Sequence, residues 1–442
     1  MTPEPSRRDL LRLAASAGAA AALGPVAWAA PAESGSYPAR DRKGPLRVAA
    51  VGVGGRGRGN INSVGNLGEI VALIDVDAET RAKAGVDFPN AATFADFRQA
   101  LMVMRDEIDA VIVSTPDHTH AVAAALAMRL GKAVYCEKPL TRTIWEAREL
   151  AKLQRKHRVI TQMGNQYTSA DSLRNVAALI RAGEFGAVRE VHCWTNRAGG
   201  WWPQGVARPE TKPTPKKVNF DLWLGPSADR PYADGYHPFA WRGWWDFGAG
   251  ALGDIGCHCM NLPFMALDLR DPVAVQAKTS GHNRDSFPLW SIVDYEFAKT
   301  ARHDAFKLTW YDGGKLPDER LAPGVKYGGN GSLIVCEKAT IYAANEYGAN
   351  AVRLDGQALP TANFTKSPGH MAEFLNAIRT GQPASSDFSN YAVPLTETVL
   401  LGNLAVWADG PRVEWDARRM QVKGSSEYDA LIRPTLRKGW TL

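Results

Sequence analysis

Five short apolar runs alternate with helix-compatible stretches through the first part of the chain. They are Arg47–Val53 (RVAAVGV), Ile70–Asp75 (IVALID), Ala110–Ser114 (AVIVS), Lys132–Cys136 and Val159–Gly164, the last preceded by helical spacing over Thr143–His157. Runs this short, rich in β-branched residues and separated by helices, mark strands covered on both faces. Right-handed crossovers between such strands make a parallel sheet. The pattern predicts an α/β fold whose first part, residues 46–165, is a doubly wound domain.

Beyond Gln166 the period changes. A helix is expected over Ser169–Ala182, ended by Gly183, then a strand over Val188–Asn196 and a Trp- and Pro-rich loop, Arg197–Pro215. Alternating segments follow at Ser291–Phe297, Phe306–Tyr311 and Ser332–Tyr342, before helical spacing returns at His370–Arg379 and Leu395–Trp407. Strands in succession predict an open, mostly antiparallel sheet, so residues 166–442 form a second α/β domain.

Residues 1–45 fit neither pattern. Ser6-Arg7-Arg8-Asp9-Leu10-Leu11 sets two arginines before an Ala-rich stretch that ends in Ala27-Trp28-Ala29. Residues 1–30 resemble a twin-arginine signal peptide, and Pro31–Pro45 reads as a linker. A membrane anchor or an ordinary secretory signal is the competing reading. The stretch is short for a span, is Ala and Gly rather than Leu, and contains Gly24-Pro25. The expectation is export of a folded protein by the twin-arginine machinery, with no stable membrane insertion after processing. The destination is the periplasm or another site outside the cytoplasm.

Charge narrows the partners. The net charge of +6 comes from 52 basic and 46 acidic residues spread along the chain, a solvated surface rather than a nucleic-acid-binding stripe. Five cysteines, an odd number without CxxC spacing, argue against a disulfide framework. The side chains of Cys257-His258-Cys259 are adjacent and do not converge on one ion, so no metal is expected.

Gly52-Val53-Gly54-Gly55-Arg56-Gly57 fits G-x-G-x-x-G directly after the first strand, with Asp75 at the end of the second. Glycines let the backbone approach a pyrophosphate, whose charge meets amides at a helix N-terminus. The Asp75 carboxylate would accept from ribose hydroxyls and repel a 2′-phosphate, favouring NAD over NADP. Arg56 and Arg58 are the residues that would serve a phosphate instead.

Two further stretches carry the chemistry. Cys136-Glu137-Lys138-Pro139-Leu140 follows the fourth strand, where open α/β sheets place ligands. In Gly250-Ala251-Leu252-Gly253-Asp254-Ile255-Gly256-Cys257-His258, a helix would set Asp254 and His258 on one face. With Ser114-Thr115-Pro116-Asp117-His118-Thr119-His120 after the third strand, and HMAEFLNAIRTG at His370–Gly381, the chain resembles the Gfo/Idh/MocA oxidoreductases from about Leu46 to Trp407. That group includes glucose-fructose oxidoreductase and inositol dehydrogenase.

The resemblance implies a Rossmann domain, then a domain whose open sheet serves in homodimer or homotetramer contacts. It gives Lys138 contact with nicotinamide ribose and substrate hydroxyl, often beside a cis Lys-Pro bond, and maps the family's Asp-x-x-x-His pair onto Asp254 and His258. The roles also follow from chemistry. Oxidising an alcohol needs a hydride acceptor and a base, and His258 suits the base. Lys138 would lower the hydroxyl's pKa, and Asp254 would position the substrate or orient His258. Glu137, Thr115, Pro116 and His120 are expected on the nicotinamide side, with Asn165 or Gln166 reaching the same place.

Seven of the fourteen tryptophans fall between Trp194 and Trp245. Flat aromatic faces suit pyranose C–H faces, so Trp194, Trp201, Trp202 and Trp241 are candidates to line a sugar site. Asn196, Arg197, His237 and Arg242 are candidates for its hydroxyls. A satellite core is the other use for such aromatics.

Export shapes the mechanism, because outside the cytoplasm no free nicotinamide pool exchanges with the enzyme. The cofactor must stay tightly bound and be restored within each cycle. Either one carbohydrate reduces the cofactor and another carbohydrate or an acceptor reoxidises it, or one glycoside is oxidised, cleaved and reduced again. The second scheme resembles NAD-dependent glycosidases related to the family, which do not keep the lysine present here as Lys138. A nucleotide-bound sugar sensor is a third reading, but a pure binder needs no base.

Overall fold

The computed structural model describes residues 37–39, 44–197, 200–348 and 350–442. The segment resembling a signal peptide lies outside these residues. Among the described residues no helix is long and apolar enough to cross a membrane.

Six parallel strands form the first sheet: β1 (Leu46–Val51), β2 (Gly68–Ile74), β3 (Ala92–Phe94), β4 (Ala110–Val113), β5 (Ala133–Glu137) and β6 (Thr161–Gly164), in the order β3-β2-β1-β4-β5-β6. Helices cover both faces, so β4 and β5 are buried along their whole length. Helix Ile144–His157 begins where expected because Thr143 and Glu146 form a reciprocal capping box. The order reverses between β1 and β4, and ligand crevices open at such a point.

Nine strands form the second sheet: β7 (Val188–Thr195), β8 (Ala274–Thr279), β9 (Ser291–Phe297), β10 (Phe306–Tyr311), β11 (Asn330–Cys336), β12 (Thr340–Ala344), β13 (Ala351–Arg353), β14 (Val413–Asp416) and β15 (Gln421–Val422). Their order is β13-β12-β11-β7-β10-β9-β8-β14-β15, and among the described residues only β7 and β10 of this sheet pair in parallel. The stretch Ser332–Tyr342 is two strands, the hairpin β11–β12.

One helix crosses the expected domain boundary. His370–Thr380 lies late in the chain, yet Met371, Phe374, Leu375 and Ile378 share a core with Val48, Ile112 and Tyr135 of the first sheet. The linker joins this contact, since the Tyr37 amide donates to the Gly381 carbonyl at 2.8 Å. The last helix of the Rossmann layer therefore comes from residues assigned by sequence to the second domain.

Candidate functional site

The glycine loop sits between β1 and helix Gly55–Asn62. Gly52 has φ +83°, and a Cβ there would lie 2.6 Å from the Ser114 carbonyl oxygen. At Gly57 a Cβ would come within 2.0 Å of the Gly52 carbonyl oxygen, so the helix can pack this close to the strand only without a side chain. No side chain caps the helix and its first turn has no acid, which leaves its amides to an anion. These features fit a dinucleotide pyrophosphate. Gly54 is the N-cap residue and Gly55 the first helical one.

Asp75 stands beside this loop. Its carboxylate accepts from the amides of Val53 at 3.0 Å and Asp77 at 2.9 Å. Burial raises its pKa against those bonds. Each oxygen keeps acceptor capacity for a ribose hydroxyl. The two arginines that would serve a 2′-phosphate are engaged elsewhere: Arg56 contacts Glu137 at 3.4 Å, and Arg58 holds the Lys83 carbonyl and Asp87.

The candidate reacting centre forms where β5 meets the second domain. The Lys138–Pro139 peptide bond is cis. Lys138 Nζ donates to the backbone oxygen of Asp254 at 2.7 Å and to its Oδ1 at 3.1 Å. Asp254 lies in a π-helical turn, Leu252–Gly256, rather than the plain α-helix its spacing with His258 predicts, and Cys257–Cys259 continues as α-helix. Such turns are common at functional sites. Arg242 Nε also reaches Asp254 Oδ1 at 3.3 Å, and Arg197 Nη1 reaches Oδ2 at 3.3 Å. Burial opposes this carboxylate's charge, but Lys138, Arg242 and Arg197 together hold its pKa well below the ordinary range.

His258 is 5% exposed and packs edge-on against Tyr347, with ring centroids 5.1 Å apart. Its Nδ1 has no hydrogen-bond partner among the described residues. Burial, reinforced by Lys138, holds its pKa well below the usual imidazole value, so the ring is neutral at neutral pH. A neutral imidazole with an unused nitrogen can accept a proton. If it is the base, kcat/KM for alcohol oxidation should stay level through neutrality and fall only in acid, below the ordinary imidazole range. A pH profile showing loss of activity between pH 8 and 7 would assign the base elsewhere.

The surroundings fix these groups. Glu137 accepts from Asn60 and Gln166, each at 2.8 Å. His120 bridges the Thr115 and Pro139 carbonyls at 2.8 and 2.9 Å, so it ties the β4 and β5 loops together rather than facing a ligand. Pro116 is the N-cap of the helix that carries His120. Thr115 Oγ1 and Asn165 Oδ1 are buried without partners among the described residues, while the Asn165 amide donates to the Cys257 carbonyl at 3.0 Å. These orphaned atoms lie on the two loops expected beside nicotinamide.

Several expected sugar contacts stand elsewhere. Trp194 is fully buried at the outer sheet, stacked on Tyr342, and donates to the Gly328 carbonyl. Trp202 and Trp241 are buried, and Trp241 joins an aromatic cluster with Phe220, Trp223, Tyr236, Trp244 and Phe247. That cluster is the satellite core. His237 sits 3.1 Å from Asp77 at the adenosine end. Trp201 remains 49% exposed, beneath Arg197, and Asn196 is exposed at the end of β7.

Three residues at the centre were given no role by the sequence, although Asp117 stands in the Ser114–His120 motif. Glu346 takes the second arm of Arg197 at 3.3 Å, Tyr347 meets His258, and Asp117 accepts from the Ala249 amide at 3.0 Å. Burial pushes the Asp117 carboxyl up to about 7. Glu346 and Tyr347 belong to a loop after β12, which only the folded topology brings to the Rossmann edge. Among the described residues no cluster of His, Cys, Asp or Glu could hold a metal ion.

A second-domain segment lies across the end of β2, beside Asp75, where adenosine is expected. The Ala78 amide donates to the Lys217 carbonyl at 2.9 Å and the Asn219 amide to the Val76 carbonyl at 3.0 Å. The C-terminal residues brace it: Arg437 pairs with Asp221 at 2.7 Å and Asp229 at 2.9 Å, while Trp440 packs under Arg98 of the first domain. Between segment and sheet is a cavity of about 730 Å3, lined by Val76, Ala78, Arg81, Lys217 and Phe220 among others.

Fold and glycine loop together define a two-domain protein with a dinucleotide-binding Rossmann domain. Residues 46–165 match the oxidoreductase family's NAD-binding Rossmann fold and residues 172–318 its C-terminal alpha/beta domain. The chain belongs to the Gfo/Idh/MocA oxidoreductase family, and its cofactor is NAD.

Among similar proteins, inositol 2-dehydrogenase of Corynebacterium glutamicum is 30% identical over 145 residues, covering 32% of this chain and 42% of that one. A glycosyl hydrolase family 109 protein of Solibacter usitatus is 32% identical over 197 residues, covering 41% of this chain and 43% of that one. The chain thus matches less than half the length of these relatives. An inositol dehydrogenase homologue from Azotobacter vinelandii, solved with NADH and myo-inositol, shares the fold at TM-score 0.60 and 17% identity, over 85% of this chain and 99% of that one. Levoglucosan dehydrogenase, solved with NADH and levoglucosan, shares it at TM-score 0.58 and 17% identity, over 84% and 99%.

Proposed function

We propose that this protein is an exported NAD-dependent oxidoreductase that oxidises a hydroxyl of a sugar, glycoside or cyclitol. The observation that carries the reading is the convergence of Lys138 and neutral His258 at the Asp254 turn, at the crevice end of the Rossmann sheet. NAD supplies the hydride acceptor when bound. Lys138 holds the substrate oxygen and stabilises negative charge developing on it. His258 accepts the hydroxyl proton. Asp254 keeps Lys138 in place and compensates its charge while Tyr347 fixes the imidazole plane. Mixing the holoenzyme with a panel of sugars, glycosides and cyclitols tests this, because turnover produces the absorbance of reduced nicotinamide. A panel member that binds without ever reducing the cofactor would support a sensor instead.

Relatives acting on inositol and levoglucosan support a polyol or sugar substrate. A redox-neutral glycoside hydrolase is the second reading, favoured by similarity to the family 109 protein. Release of free aglycone without lasting reduced nicotinamide would select it. Lys138 favours net oxidation. Homo-oligomerisation through the open sheet is part of the proposal, checked by light scattering.

Tight retention of NAD fits an enzyme working outside the cytoplasm. The braced segment across the adenosine end supplies the means. Replacing Arg437 and Trp440 by alanine together should speed NAD release about tenfold, the equivalent of roughly 1.4 kcal/mol. Unchanged release in a stopped-flow chase would remove the brace from the account.

A further inference from the structure

Three cationic side chains converge on one carboxylate in this site. Lys138, Arg197 and Arg242 all contact Asp254, and their side chains are 14%, 20% and 21% exposed. Glu346 offsets one charge through Arg197. Arg56 is already paired with Glu137, and His258 is neutral. The remaining acid, Asp117, is buried and titrates near neutrality, so it offsets a full charge only in part. The immediate site therefore carries a positive excess of less than one full charge, before oxidised nicotinamide adds its own.

The two arginines are also held ready. The Arg197 guanidinium carbon lies over the Trp201 ring at 4.2 Å, and that of Arg242 over Trp241 at 4.2 Å and Phe239 at 4.5 Å. Stacking fixes each guanidinium plane and leaves its edge open. Arg242 uses Nε on Asp254 and Nη1 on the Phe239 carbonyl, while Nη2 has no hydrogen bond among the described residues. Arg197 uses Nη1 and Nη2 on Asp254 and Glu346, and its Nε likewise has none. Neutral sugar hydroxyls do not require two stacked guanidinium edges. An acid group does.

We infer that the substrate is an anionic carbohydrate, whose carboxylate or phosphate is read by the free edges of Arg197 and Arg242 while Lys138 holds the hydroxyl to be oxidised. This rests on the oxidoreductase reading and names its substrate class.

The test compares wild-type holoenzyme on three probes: methyl glucoside, methyl glucuronide and glucose 6-phosphate. The limiting slope of single-turnover reduction of the bound NAD against probe concentration gives kcat/KM, and calorimetry gives binding. At least one acid probe should exceed the neutral glycoside in kcat/KM by about 10- to 100-fold, as charged hydrogen bonds allow. The better acid identifies the group read. Raising salt should shrink the advantage, and the pair Arg197→Gln and Arg242→Gln should bring the ratio towards one. A neutral glycoside oxidised as well as both acids would overturn the inference and leave the oxidoreductase reading intact. Acid probes that bind tightly without any reduction would keep the anionic class and overturn the oxidoreductase. Failure of both acids to bind would also overturn the inference, without any need for the variants to fold.

Discussion

Lys138→Ala should fold, bind NAD and lose nearly all hydride transfer, with kcat reduced by about 10²- to 10³-fold, the scale of removing one charge-stabilising donor. Folding should survive because Asp254 keeps two of its three cationic partners, Arg197 and Arg242. An uncompensated buried carboxylate would cost about 3–5 kcal/mol, but here two charges remain to offset it. The loss should fall on kcat more than on NAD affinity, because the amine interacts most strongly with the oxygen as negative charge develops. Single-turnover reduction of bound NAD, with affinity measured separately by calorimetry, distinguishes the two. A variant that loses NAD but keeps its rate when saturated would make Lys138 a cofactor ligand only.

Gly57→Ala is the second large effect, and it should act on the cofactor. Its new methyl group would sit 2.0 Å from the Gly52 carbonyl oxygen and 3.2 Å from Ser114 Cβ, so helix Gly55–Asn62 must move away from β1. Overpacking of this kind costs about 1–3 kcal/mol. The displacement also moves the amides offered to the pyrophosphate. NAD affinity should fall about 10- to 100-fold by the same energies, while His258 and Lys138 stay in place. Equilibrium binding of NAD to the cofactor-free variant checks this, and wild-type affinity would show that the loop does not cradle the pyrophosphate.

Much of the site could be read in the chain because its chemistry is local. The glycine loop, Asp75, the Lys138 loop and the Asp254–His258 pair each lie within one short stretch at a strand end or helix, where spacing and environment coincide. The Rossmann strands were legible for the same reason, since burial on both faces leaves continuous apolar runs. β3 escaped because three residues make no period. Helix His370–Thr380 was legible as a helix but not as part of the first domain, since an apolar stripe says that a face is covered and not by what.

The tryptophans illustrate the remaining gap. Trp194 and Trp201 are alike as sequence, yet one is fully buried by the sheet and the other lies open under Arg197. His237 pairs with Asp77, a residue from the other domain, and Glu346 reaches Arg197 from a loop after β12. Contacts of such long separation leave no periodic trace. The convergence of three cations on Asp254 is likewise a property of the assembled domains.

The central claim is that NAD, held by the glycine loop, works over the Lys138–His258 cleft. Its most direct test is to purify the mature protein, denature it and identify the released small molecules by mass spectrometry. The account predicts NAD in stoichiometric amount, reduced beforehand if the protein was first given its carbohydrate. Protein that released no nicotinamide dinucleotide, and took up none when NAD was supplied, would contradict it.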